Sequence, residues 1–471
     1  MTNKQTGTCA FLGACLIDGT GAPPLEDSAI VIRDGRIDWV GAAGELTHAS
    51  DLRAVDVSGK YVIPGLMDAN VHLVLHVDPE VLLRYEPGYY DDLVIEAAQI
   101  ALRAGVTTVF DTWGPLASLR RVRDRINAGD VPGSRIFFAG NIIGNSGPWS
   151  RDFLPSYGES LSPALVDTVN RHWEQGVGGE LSWMSADDVR TSVREYIASS
   201  GIDFVKYASS AHGELRTIAF SPDAQRAIVE EAHAAGMTAQ ACSGAPEPLK
   251  LAIDAGVDLL QHGSTTGRYP MPAETFDLIV ARQIPCVAFL TTERRIAALR
   301  EDNVMGELSI LWVVSDENNR KLISAGAKLL LAHDAGVFGP TASTSPVMGQ
   351  FLAGPDSSHH LGSAHTLWLQ AAIEREMAPM DALLAATRNI AEAYRKDDEL
   401  GTIEPGKRAD LLVLDANPLD NVENYGRIAH VVKDGEIVDR DRLPEHPVLT
   451  ADVELTSDPE VSAVVATTGS G

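Results

Sequence analysis

Cysteine is scarce in this chain: four in 471 residues, at Cys9, Cys15, Cys242 and Cys286, with no CxxC pair among them. A disulfide-held scaffold is excluded, and a reducing compartment is the default. Positive charge is in deficit too. Thirty-eight Lys and Arg stand against 65 Asp and Glu, a formal net charge of −27. Nothing basic is available to release counterions from a phosphate backbone, so no nucleic-acid partner is expected. No uninterrupted apolar run approaches the ~20 residues that a membrane span requires. Residues 1–8 are polar, and the next apolar run is broken by Gly13 and Asp18. That is not a secretory leader, and a cytoplasmic protein is expected. Neither GxGxxG after a strand nor GxxxxGK[ST] occurs, so nucleotide binding is not indicated.

What the chain does have is alternation. Short strand patterns fill residues 9–62, with hairpin signals at Asp34-Gly35, and the same pattern returns after Gly406 with Asp434-Gly435. Between them, apolar runs at 106–111, 135–140, 202–207, 237–242, 257–262, 285–290 and 328–334 alternate with amphipathic helical stretches such as 92–104, 186–199, 224–235 and 319–325. Four helices stop at Ala-Gly: 104-105, 235-236, 255-256 and 325-326. With the run 61–73, this makes eight βα units. The expected fold is α/β: a (β/α)8 TIM-like barrel with a small β-sandwich formed by both termini. An open doubly wound sheet is the competing architecture. The expected divisions are 1–62 and 391–446 for the two halves of the sandwich, 63–390 for the barrel, and 447–471 for an acidic tail, mobile or laid along a neighbouring subunit.

In such a barrel, chemistry gathers at the C-terminal ends of the strands. The run YVIPGLMDANVHL ends in Asn70 and His72, which share a face because side chains alternate along a strand. The fourth strand offers Lys206, the fifth Gln240 and Cys242, the sixth His262, and the eighth His333-Asp334. Each has a plain structural reading, but together they suit metal-assisted hydrolysis. A divalent cation lowers the pKa of a water, and a carboxylate such as Asp334 takes its proton and hands it on. Asp334 faces inward in this reading, which turns His333 toward the helices and a structural role.

These motifs resemble the metal-dependent amidohydrolase superfamily. The resemblance runs through VIPGLMD at 62–68, AGVTTV at 104–109, AGVD at 255–258 with His262-Gly263, Asp334-Ala335-Gly336, and LGTIEPGKRADL at 400–411. It implies that His72, His262 and Asp334 are ligands, that Lys206 is the fourth-strand lysine often carboxylated to bridge two metals, and that His262 and Asp334 are catalytic. Two departures stand out. Asn70 replaces the first histidine of His-x-His, and the fifth-strand histidine is replaced by Gln240 or Cys242. One divalent ion per subunit is therefore expected, held by Asn70, His72, His262 and Asp334, with or without carboxylated Lys206. Zinc, cobalt, manganese and iron all suit the donors. The Asn-x-His variant resembles the branch containing bacterial phenylurea hydrolases and molinate hydrolase.

The expected activity is cleavage of a carbonyl C–N bond in an N-aryl-N′,N′-dialkylurea. Thiocarbamate and amide or Xaa-Pro dipeptide hydrolysis are the enzyme alternatives, and a metal-free small-molecule-binding barrel is the non-enzyme one. The candidate substrate contacts are Trp113, Tyr207, His212 and Gln240. Further aromatics occupy the long loop after the third strand: Trp149, Phe153, Tyr157, Trp173 and Trp183, with His172. Arg294 and Arg295 after the seventh strand could instead hold a carboxylate. The expected partner is a small neutral aromatic urea or carbamate, with no membrane involved, in a homo-oligomer.

Overall fold

The computed structural model describes residues 8–47, 52–74, 79–150, 161–211, 217–339, 342 and 349–451. One mixed sheet joins both ends of the chain. Its strands are β1 (Cys9–Leu16), β2 (Leu25–Arg33), β3 (Arg36–Ala42), β4 (Arg53–Asp56), β5 (Tyr61–Pro64), β14 (Leu411–Leu414), β15 (Ile428–Lys433) and β16 (Glu436–Ile437). They run in the order β16-β15-β14-β5-β1-β2-β3, with β4 beside β1. The unbroken apolar run Leu411–Leu414 has a physical cause. Leu411 and Val413 face a small core with Phe11, Ile30 and Val62, while Leu412 and Leu414 face the main core with Ile63. A strand buried on both sides needs apolar residues at every position.

The middle of the chain forms two parallel sheets. One holds β6 (Leu66–Val71), β7 (Val106–Asp111) and β8 (Arg135–Phe138). The other holds β9 (Val205–Ala208), β10 (Ala239–Cys242), β11 (Leu259–Gln261), β12 (Cys286–Ala288) and β13 (Leu329–Leu331). Single parallel bridges, Val71 to Ala335 and Ile143 to Tyr207, link the two sheets at both edges. Helices follow the strands, and glycines 105, 236, 256 and 326 at the Ala-Gly stops all have positive φ.

The run 61–73 is broken at Pro64-Gly65 into two strands. It turns at Gly65, where any Cβ would collide with the Thr107 side chain, so β5 joins the terminal sheet and β6 the parallel one. The helix expected over 319–325 is Ser309–Ser324. Residues 447–451 are tied down: the buried Glu96 carboxylate accepts the backbone N–H groups of Val448, Leu449 and Thr450 at 2.6–2.9 Å, and the Thr450 hydroxyl. The rest of the acidic tail lies outside the described residues. A cavity of about 660 Å³ opens between Arg36, Pro132, Arg408 and Asp434, near the start of β8, and contains none of the candidate site residues. Among the described residues, no helix is long and apolar enough to cross a membrane.

Candidate metal centre

Asp334 is the hub. Asn70 Nδ2 donates to its Oδ1 at 2.6 Å, His72 Nε2 lies 3.2 Å from the same oxygen, and His262 Nε2 lies 3.9 Å from Oδ2. Asn70 and His72 reach it from one face of the β6 end, as a two-residue repeat requires. His262 and Asp334 follow β11 and β13 in left-handed backbone, φ 52° and 53°. Such conformations cost about 1–3 kcal/mol in non-glycine residues and persist where the surroundings impose them. Here they turn both side chains to the common centre.

The His72 tautomer is decided by its neighbours. Nδ1 lies 3.2 Å from the Trp113 carbonyl, which can only accept, so Nδ1 carries the hydrogen. In the neutral ring, Nε2 is then a bare lone pair facing a carboxylate oxygen. Two acceptors at that distance need a proton or a metal cation between them. An N–H given to a backbone carbonyl is also the usual support of a metal-binding histidine. Two donors on one tetrahedral cation sit roughly 3.3 Å apart for ~2.0–2.1 Å bonds; the His72 contact has that size, and the His262 contact, at 3.9 Å, is longer. Nevertheless, among the described residues no group of three His, Cys, Asp or Glu side chains is disposed to hold a metal as it stands. Asn70 Nδ2 occupies one Asp334 oxygen, and an ion there requires these side chains to shift slightly.

A directed hydrogen-bond chain stands behind Asp334. The buried Lys206 ammonium donates to Thr112 Oγ1 at 2.9 Å, the Thr112 hydroxyl donates to Asn70 Oδ1, and Asn70 donates to Asp334. Lys206 has no acceptor capacity, which fixes the direction of every link. Burial pushes the Asp334 carboxyl up, but His262, the His72 contact and Lys206 outweigh it and hold it well below the usual carboxylate range. Burial pushes His262 down to about 4, leaving a neutral imidazole at pH 7. Burial raises Asp111 to about 7. Its oxygens accept the N–H groups of Leu73 and Trp113 at 2.8 and 3.1 Å, bracing the loops on either side of His72. Thr112→Val keeps the shape but removes both links of the chain. It is expected to lower kcat about 10–100-fold, the usual cost of losing an outer partner of a metal ligand, with Thr112→Ser restoring it. Steady-state kinetics on the three proteins checks this.

An amidohydrolase-family model matches residues 61–438. The chain belongs to the amidohydrolase family. Its structure superposes on that of molinate hydrolase with a TM-score of 0.88, 37% identity, and coverage of 95% of this chain and 99% of the other. For phenylurea hydrolase B the values are 0.87, 34%, 95% and 100%. Ochratoxinase of Aspergillus niger is 26% identical over 459 residues, covering 93% of this chain and 87% of its own. This amidohydrolase is thus a hydrolase related to the molinate and phenylurea enzymes.

The remaining candidates of this amidohydrolase divide. Trp113 is buried edge-on to His72, ring centres 6.0 Å apart, and its indole donates to Asn141. Gln240 pairs in register with Lys206. Its carbonyl accepts from Gln261 and from Tyr394 Oη, so it belongs to a polar layer beside the centre. Tyr207 is not brought to the site. Next to Lys206 in β9, it points to the other face and donates to Gln225 at 3.1 Å, on helix Pro222–Ala234. His212, Phe153 and Tyr157 lie outside the described residues. Trp149 and Trp173 are core, and Trp183 is exposed. Arg295 donates to the carbonyls of Phe351, Ala353 and Pro355, and Arg294 pairs with Asp356 at 3.4 Å. His333 is fully buried with His365 and His359 as its main electrostatic neighbours, and neither ring nitrogen has a hydrogen-bond partner among the described residues. Thr112 and Asp111 were missed by sequence reasoning. The signal was there: Asp111-Thr112 is a polar pair at a strand's C-terminal end, the same rule that selected His262 and Asp334.

Proposed function

We propose that this amidohydrolase cleaves the carbonyl C–N bond of N-aryl-N′,N′-dialkylureas, with one divalent cation per subunit. The observation that carries the reading is the convergence of His72, His262 and Asp334, with His72 Nε2 3.2 Å from a carboxylate oxygen. The likeness to phenylurea hydrolase B and molinate hydrolase supports the substrate class. In this reading the two parallel sheets close as a (β/α)8 barrel over 63–390, and residues 1–62 and 391–446 pack as its sandwich.

His72, His262 and Asp334, with Asn70 beside them, would hold the cation, which when bound supplies Lewis acidity toward the carbonyl and toward water. The chain's own residues do the rest. Asp334, kept ionised, accepts the proton of the water whose oxygen adds to the carbonyl carbon. The C–N bond then breaks as the same proton passes from Asp334 to the aryl nitrogen, giving a dialkylcarbamic acid and an aniline. Lys206, through Thr112 and Asn70, keeps the carboxylate aimed. An Xaa-Pro reading loses part of its motivation, because the Arg295 guanidinium is committed to the backbone carbonyls of Phe351, Ala353 and Pro355.

The purified protein is expected to carry about one equivalent of zinc, cobalt, manganese or iron. It should release 3,4-dichloroaniline from the corresponding dimethylurea, lose this activity on chelation and regain it with added metal. Amine and thiol release from a thiocarbamate with inert ureas would transfer the assignment to the thiocarbamate class. Absence of metal after growth with added metal would favour a binding barrel.

A further inference from the structure

A chamber of about 150 Å³ opens beside the centre, with Asp334 and His262 on one side and Phe289, Leu311 and Trp312 on the other. Its walls are ordered aromatic contacts. Phe289 meets His262 edge-on at 4.5 Å and stacks on Trp312 at 5.8 Å, with planes 21° apart. Trp312 is backed by His359 at 5.5 Å. No Lys or Arg lies among the described residues that line it. Ser243 borders the same space, and its buried hydroxyl has no hydrogen-bond partner among the described residues. Ser243, Thr265, Ser315, His262 and Asp334 make part of the lining polar, and a space of about 150 Å³ is the size known to take up a single benzene ring.

Leu311 and Trp312 come from the first turn of helix Ser309–Ser324, between β12 and β13. That region has its own small core, Ile296, Leu299 and Met305, against which Trp312 packs. The wall is therefore built on a separately packed cap and not on the strands that carry the candidate ligands. Both residues are only half-buried, which leaves the chamber an outer side.

The geometry points to this chamber as the recognition pocket for one neutral monocyclic ring on the scissile nitrogen, with Leu311 and Trp312 setting the size limit. The inference rests on the hydrolase reading above and names the ring class for that site. A fused bicyclic ring overfills the space inside Leu311 and Trp312.

The test compares N-phenyl and N-(1-naphthyl) dimethylureas on the wild type, Leu311→Ala and Leu311→Trp, with calorimetric binding of aniline measured on the same preparations and melting curves checking the fold. The wild type is expected to favour phenyl at least about tenfold in kcat/KM, Leu311→Ala to lower that preference at least about tenfold, and Leu311→Trp to weaken both phenyl turnover and aniline binding by a similar factor. Turnover that persists in both variants with the phenyl preference unchanged would overturn the chamber while leaving the hydrolase reading intact. Aniline binding that Leu311→Trp abolishes, in a protein that hydrolyses neither urea, would keep the ring pocket and remove the hydrolase reading.

Discussion

Asp334→Ala is expected to lower kcat at least ~10³-fold while the protein still folds. A proton carrier alone is worth about 10²–10⁴, and Asp334 is at once that carrier and the shared neighbour of His72, His262 and Asn70. The fold should survive because the side chain is not part of the packed core: it is 27% exposed. His262→Ala is expected to behave alike, since its ring supplies the second imidazole. Asp334→Asn separates the contributions. The amide keeps tolerance of the left-handed backbone and a metal-facing oxygen, but it has no basicity, so ion content should fall less than turnover. Kinetics and metal content measured together decide the matter. A kcat within about tenfold of wild type in Asp334→Ala would take this residue out of the chemistry.

The second large effect falls on stability. Arg375 is fully buried, its Nε donates to Asp316 Oδ1 at 2.6 Å, a second guanidinium nitrogen contacts the same carboxylate and the Thr291 carbonyl, and Nη1 donates to Ala371 O. Asp316 is itself 2% exposed, with Arg320 as its other partner at 3.0 Å. Arg375→Met leaves that carboxylate with Arg320 alone, whose side chain is 41% exposed, so a loss of about 3 kcal/mol, the low end for breaking a buried pair, is expected. The double change Arg375→Met with Asp316→Leu should recover most of the loss, because no buried charge is then left without compensation. Chemical denaturation of the three variants measures this, and a cost below about 1 kcal/mol for the single change would show that solvent reaches Asp316 after all. The pair clamps helix Ser309–Ser324 to Ala364–Glu374, so the damage should extend to Leu311 and Trp312.

The parts legible in the sequence were those with strong local grammar. The strand at 106–111 matches β7 residue for residue, the Ala-Gly stops fall where backbone turns left-handed, and the two-residue spacing of Asn70 and His72 placed both on one face. Other features were hidden for identifiable reasons. Ile310-Leu311-Trp312-Val313-Val314 is a continuous apolar run whose helical period is masked, so the start of its helix and the wall it builds were not visible. Tyr207 was assigned as an aromatic at the mouth of the fourth strand, but it lies within β9, where alternation sends it to the face opposite Lys206. Arg295 reads as a free cation until three carbonyls, contributed from residues more than fifty positions away, are seen to use it up. Thr112 needed only the strand-end rule applied once more.

The backbone at His262 and Asp334 carries one more implication, for descent. Both positions are wound against the preference of residues with a Cβ, at a cost of about 1–3 kcal/mol each that the surrounding structure imposes. A lineage that stopped using the reaction would relax first to glycine or asparagine at these two places and would melt at a higher temperature for it.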